Sequence, residues 1–128
     1  MILGTGIDIV EPARLRLACE RTGGRLVARL FTEAERAACE RSRDPWPRYA
    51  GRFAAKEALL KAFGTGMGAG MGWRDIETVN DALGKPGIEL NGRAREFAAT
   101  KGVERIHVSI SDLSGMAVAS VILEGELP

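Results

Sequence analysis

A charged residue interrupts the first apolar run of the chain. Asp8 stands within Ile2-Leu3-Gly4-Thr5-Gly6-Ile7-Asp8-Ile9-Val10, a stretch whose apolar and β-branched residues read as a buried strand. A carboxylate in that setting is costly to bury unless a partner or a metal ion compensates it. Glu57 poses the same problem in a helical context. It falls in Arg52-Phe53-Ala54-Ala55-Lys56-Glu57-Ala58-Leu59-Leu60-Lys61-Ala62-Phe63, which is otherwise rich in alanine and leucine.

The remaining bounds are ordinary. A length of 128 residues predicts one domain, residues 1–128. A hydrophobic fraction of 45% supports a core, and a net charge of +1 argues against a general nucleic-acid coat. The positive charge is uneven, however: Arg14, Arg16, Arg21, Arg25 and Arg29 crowd the first quarter and suggest one basic face. Cys19 and Cys39 lie in helix-like stretches without metal-type spacing, so free thiols in a reducing compartment are expected. The N-terminal apolar run is too short for a signal peptide or a membrane span. The expected location is cytoplasmic, with no membrane or nucleic-acid partner.

Punctuation along the chain predicts an α+β fold. After the first strand, Glu11-Pro12 opens a helix with an apolar stripe at Leu15, Ala18 and Cys19, ended by Gly23-Gly24. Thr32 and Glu35 form a capping box for a second helix to about Arg43. A break at Asp44-Pro45-Trp46-Pro47 precedes a third helix to Phe63, with Ala55, Leu59, Ala62 and Phe63 on its buried face. The glycine-dense stretch Gly64 to Gly72 reads as a flexible active-site loop. Strands are expected at Trp73–Val79 and Gly87–Leu90, and a helix capped by Asn91 runs to about Lys101. A closing hairpin pairs Val103–Ser111 with Met116–Leu123. The expected architecture is a mainly antiparallel sheet with helices packed on one face.

Several of these residues could carry chemistry. Glu57 and Lys61 are four apart on one helix face; an exposed ion pair is the plainer reading, worth roughly 0.2–0.5 kcal/mol. Two carboxylates with Arg52, Lys56 and Lys61 nearby also suit Mg²⁺ on a diphosphate, since Mg²⁺ takes one or two carboxylates and fills its octahedron with water and phosphate oxygens. Gly64-Thr65-Gly66 could bring backbone N–H groups to a phosphate or could simply cap the helix. No Walker-type motif is present. His107 shares a polar strand face with Ser109 and Ser111, which suggests either a ligand surface or a structural hydrogen bond. No nucleophilic triad is evident.

Three blocks together resemble the holo-acyl-carrier-protein synthases, the short bacterial class of 4′-phosphopantetheinyl transferases. They are Gly6-Ile7-Asp8-Ile9-Val10-Glu11, Arg52-Phe53-Ala54-Ala55-Lys56-Glu57-Ala58 with Lys61 and Gly64-Thr65-Gly66, and His107-Val108-Ser109-Ile110-Ser111. Gly84-Lys85-Pro86 and Ala117-Val118-Ala119 agree as well, and block order matches over nearly the whole chain.

The resemblance implies transfer of the phosphopantetheine arm of coenzyme A to a serine of apo-acyl carrier protein, releasing adenosine 3′,5′-bisphosphate, in fatty-acid or polyketide synthesis. It implies Asp8 and Glu57 as Mg²⁺ ligands and Lys61 at the diphosphate. Arg52, Lys56, Gly64, Thr65, His107 and Ser109 would contact coenzyme A, and Gly84-Lys85-Pro86 would hold the adenine edge. A metal-bound water steered by Glu57 is the expected base. Asp112 stands where relatives often carry a second histidine. Arg14 and Arg21, two helical turns apart, would dock the acidic carrier protein. A cyclic homotrimer with sites shared between neighbouring subunits is implied too, because relatives of double length pair two similar halves around the site. Rival expectations are a Mg²⁺-dependent diphosphate hydrolase and a non-catalytic carrier-binding module.

Overall fold

Strand β1 (Ile2–Val10) lies against the long helix α4 (Trp46–Phe63), and two glycines allow the close approach. In this computed structural model, which describes residues 1–68 and 70–128, a Cβ on Gly4 would stand 2.1 Å from the Ala62 carbonyl oxygen. One on Gly6 would stand 2.0 Å from that of Ala58. Side chains alternate along a strand, so Gly4, Gly6 and Asp8 share the side that faces the helix. Ala54, Ala55, Ala58 and Ala62 keep the opposing helix surface low and buried.

Between these elements run α1 (Pro12–Arg21), α2 (Arg25–Leu30) and α3 (Glu33–Glu40). After α4 come a 3₁₀ turn at Trp73–Asp75, the hairpin β2 (Ile76–Asn80) and β3 (Pro86–Leu90), and α5 (Gly92–Thr100). Strands β4 (Val103–Asp112) and β5 (Ala117–Gly125) close the chain. The main sheet has the order β1-β5-β4 and is antiparallel throughout, with Asp8 opposite Ala119. Ala117, Ala119, Val121 and Leu123 of β5 point to α4 and are buried. The α+β expectation matches this architecture.

Four sequence expectations need correction. First, β1 is not buried on both sides: Ile7 and Ile9 on its outer face are 61% and 58% exposed. Second, Gly24 does not only end a helix; in a left-handed conformation it starts α2, a six-residue helix too short to show a period. Third, α3 stops at Glu40, before Arg43. Fourth, Trp73–Asp75 forms a 3₁₀ turn before the strand begins at Ile76. The Thr32–Glu35 capping box is present in both directions. The expected mobile loop from Gly64 to Gly72 includes Ala69, which lies outside the described residues. No helix among the described residues is long and apolar enough to cross a membrane.

The strand–helix contact yields a test. Gly6→Ala should destabilise the protein by about 1–3 kcal/mol, the cost of overpacking against immovable backbone. Gly115→Ala, where nothing lies within 4 Å of the added carbon, should be nearly neutral. Thermal unfolding of both variants provides the comparison.

Candidate functional site

Asp8 leaves the sheet at the point where the Gly4-Gly6 side of β1 meets the last turns of α4. The Lys61 side chain meets it there, and Glu57, one turn away, lines the same groove. Lys61 Nζ donates to Asp8 Oδ1 at 2.7 Å and to the Ile7 carbonyl at 3.0 Å. The expected Glu57–Lys61 ion pair is therefore replaced by a tertiary one, because the strand carboxylate is better placed. Asp8 is only 16% exposed in its side chain, whereas Lys61 is 55% exposed.

Burial raises the proton affinity of Glu57, and the negative charge of Asp8 raises it further; Lys61 works against both. That influence places the two carboxylates within each other's field. The bond from Asp8 holds the Lys61 ammonium above its ordinary range. Asp8 and Glu57 line one groove of about 510 Å³ together with Arg14, Leu15, Leu26, Phe53 and Met116. No cluster of three or more metal-ligating side chains exists among the described residues. A pair of carboxylates is nonetheless the donor set Mg²⁺ takes when substrate phosphates complete its shell. A divalent ion would also offset the burial and the repulsion that lift Glu57.

A second cavity, of about 100 Å³, opens on a different side of α4 and has none of these residues. It is lined by Arg48, Arg52, Asn80, Gly84, Pro86 and Asp112. Arg52 and Glu57 are five positions apart, so they project about 140° apart around the helix. The turn that presents Gly84 and Pro86 is organised by Asp81. Its carboxylate accepts from Leu83 and Lys85 N–H, both at 2.9 Å, and Gly84 takes φ +86°. Arg48 and Asn80 escaped the sequence reading; they are isolated polar residues that only the fold brings beside Arg52.

A third surface continues from Pro86 and Lys85 to His107 and Ser109. These strand residues belong to the outer face of the sheet, opposite to Asp8. His107 Nε2 lies 2.9 Å from Glu124 Oε1, and this hydrogen bond pulls Glu124 below the ordinary carboxylate range.

Lys56 does not face any of these cavities. It is fully buried, and its ammonium donates to Glu35 Oε1 at 2.7 Å, to the Leu30 carbonyl at 2.6 Å and to the Trp73 carbonyl at 3.1 Å. Those three bonds use all its protons, so the expected contact with coenzyme A is withdrawn. Burial lowers its proton affinity, and Glu35 opposes that effect. Gly64 and Thr65 need correction too. Both backbone N–H groups donate to the Leu60 carbonyl, and Gly64 is the left-handed C-cap of α4. Their amides are spent on the helix, and a helix C-terminus repels anions. Arg14 and Arg21 lie exposed on α1, with Arg14 3.7 Å from Glu11 and also at the rim of the carboxylate groove. Cys19 and Cys39 are free and buried, and burial pushes the Cys39 thiol up to about 11.

A family model described as the 4′-phosphopantetheinyl transferase superfamily matches residues 4–119. The holo-[acyl-carrier-protein] synthase of Serratia proteamaculans is 48% identical over 124 residues, covering 97% of this chain and 98% of that protein. That of Desulforudis audaxviator is also 48% identical, covering 98% and 95%. Among solved structures, the synthase of Neisseria meningitidis superposes with a TM-score of 0.89 at 34% identity, covering 97% of this chain and 99% of that one. The Bacillus anthracis synthase, solved in complex with CoA (3′,5′-ADP), gives 0.79 at 37% identity, covering 98% and 99%.

The electrostatics of the carboxylate pair can be read directly. Asp8→Asn should let the Glu57 titration fall toward the ordinary value, and Lys61→Met should move it further up. Carboxyl-detected NMR titration of labelled glutamate checks both directions; a Glu57 resonance indifferent to either change would mean the groups do not share a field.

Proposed function

The chain belongs to the 4′-phosphopantetheinyl transferase superfamily, and we propose that the groove holding Asp8, Glu57 and Lys61 is where its transfer reaction takes place. The chain moves the 4′-phosphopantetheine arm of coenzyme A onto a serine of apo-acyl carrier protein. The carrying observation is that a strand carboxylate and a helix carboxylate share one groove with a lysine bonded to the first. Asp8 and Glu57 would hold Mg²⁺, which when bound supplies positive charge to the diphosphate oxygens. Lys61, half exposed beside them, turns from Asp8 to the bridging and departing phosphate oxygens. The serine oxygen attacks the β-phosphorus, the P–O bond to the adenosine half breaks, and adenosine 3′,5′-bisphosphate leaves with the charge Lys61 neutralises. Glu57 orients the water that takes the serine proton.

The nucleotide end of coenzyme A is assigned to Arg52 and the Gly84-Lys85-Pro86 turn, with His107 and Ser109 alongside. In one chain these groups lie on other faces than Asp8 and Glu57. The exposed apolar face formed by Ile7, Ile9 and Ile122 offers a surface for a second copy. Both features favour a cyclic homotrimer in which one subunit supplies the carboxylates and its neighbour the nucleotide contacts. Arg14, at the groove rim, and Arg21 on the same helix face would dock the acidic carrier protein. The free buried thiols suit the reducing cytoplasm.

Intact-mass analysis of apo-carrier protein with enzyme, coenzyme A and Mg²⁺ should show the phosphopantetheine increment. Asp8→Ala or Glu57→Ala should cut transfer by roughly a thousandfold while carrier binding persists; wild-type rates in both would end the metal assignment. Coenzyme A hydrolysis without carrier would favour the hydrolase instead. Charge reversal at Arg14 and Arg21 should raise the KM for carrier protein several-fold, and added salt should narrow the gap from wild type. Mixed refolding of Glu57→Ala with Arg52→Ala subunits should restore activity at about a quarter of the interfaces; a dead mixture would count against a shared site.

A further inference from the structure

Arg52 does not reach its cavity as a free side chain. Its Nη1 donates to both the carbonyl and the hydroxyl of Thr78, at 2.9 and 2.5 Å. Thr78 is itself buried and is gripped from behind: its N–H and its hydroxyl both donate to Glu35 Oε2, at 3.0 and 2.8 Å. A hydroxyl has one proton, so giving it to Glu35 turns the oxygen lone pairs toward Arg52. The other carboxylate oxygen of Glu35 accepts from Lys56 at 2.7 Å and from the Thr32 N–H at 2.9 Å. Glu35 and Lys56 are both fully shielded from water. No buried side-chain polar atom among the described residues lacks a partner.

This arrangement is more than a buried ion pair needs. Lys56 neutralises Glu35, yet half of the carboxylate is committed to one threonine, and that threonine to one guanidinium. The chain of bonds links α3, α4 and β2 and ends at a cationic group that lines a cavity with Arg48 and Asn80. An arginine has several rotatable bonds; fixing it before the ligand arrives removes an ordering cost from binding.

We propose that Glu35 and Thr78 are positioning residues that hold Arg52 ready for the nucleotide end of coenzyme A. The inference rests on the reading above that the Arg52 cavity takes that end. Thr78 fixes the guanidinium from one side, the buried Cys39 thiol lies beside it as well, and its other N–H groups face the ligand. Lys56 contributes by bonding the other Glu35 oxygen, which holds the carboxylate in place for the threonine hydroxyl.

The test is a double-mutant cycle on the purified full-length enzyme, read by calorimetric titration with adenosine 3′,5′-bisphosphate, which carries only the nucleotide end. Thr78→Val keeps the shape and removes the hydroxyl; it should weaken binding roughly five- to tenfold, about the net worth of one hydrogen bond. Thr78→Ser keeps the hydroxyl and should stay within about twofold of wild type. The double variant Thr78→Val with Arg52→Ala should bind no more weakly than Arg52→Ala alone, since the threonine acts through the arginine. Kinetics should show the Thr78→Val effect in the KM for coenzyme A with kcat preserved. Additive losses, or full affinity in Thr78→Val beside a weakened Arg52→Ala, would overturn the positioning role while leaving the cavity assignment standing. Full affinity in Arg52→Ala would overturn the cavity assignment itself. If Thr78→Val does not fold, Thr78→Ala carries the same cycle.

Discussion

The closeness of β1 to α4 sets the geometry on which the candidate site depends. Backbone touches backbone there: the carbonyls of Ala58 and Ala62 occupy the space where side chains on Gly6 and Gly4 would be. At that separation the next residue on the same side of the strand, Asp8, arrives beside the Glu57–Lys61 edge of the helix. A bulkier spacer would push the strand outward and take Asp8 out of reach of Lys61, at 2.7 Å now. The charges are tolerated because they sit at the edge of this contact, where one face is open to the groove. Glu57 carries the cost of being there in its raised proton affinity, and a cation would remove that cost.

Two kinds of ion pair serve two purposes. Lys61–Asp8 is open to solvent on the lysine side, so the lysine is accessible from the groove side. Lys56–Glu35 is closed to water, and breaking it by removing one partner would strand a buried charge, an effect of about 3–5 kcal/mol. The first pair is therefore suited to chemistry and the second to holding elements in place. Their residues are only five positions apart in one helix, and exposure alone separates their roles.

Much of the fold was legible before any coordinates. The capping box at Thr32, the proline-opened helices, the turn at Gly84 and the closing hairpin each follow from local rules that tertiary contacts did not override. Asp8, Glu57 and Lys61 stood out because their charges disagree with their neighbours in sequence. Lys56 misled for the same reason: a cation beside Glu57 looks like part of a phosphate site, and nothing local says that it points to the other side of the helix, into Glu35. Gly64 and Thr65 misled because a helix C-cap and a phosphate loop share one composition. Thr78, Arg48 and Asn80 carried no local signal, since a threonine in a strand or an arginine on a helix is unremarkable until another element arrives.

By itself the sequence determined which residues are placed at odds with their surroundings, together with the family and the α+β order of elements. Those properties depend on neighbours within a turn of helix or a strand's alternation, which the chain order states directly. Only the tertiary structure decided which partner each charge would find: Asp8 for Lys61, Glu35 for Lys56, Thr78 for Arg52. Those pairings join residues 21 to 53 positions apart. They follow from how closely elements pack; for Asp8 and Lys61, two glycines and a row of alanines set that distance.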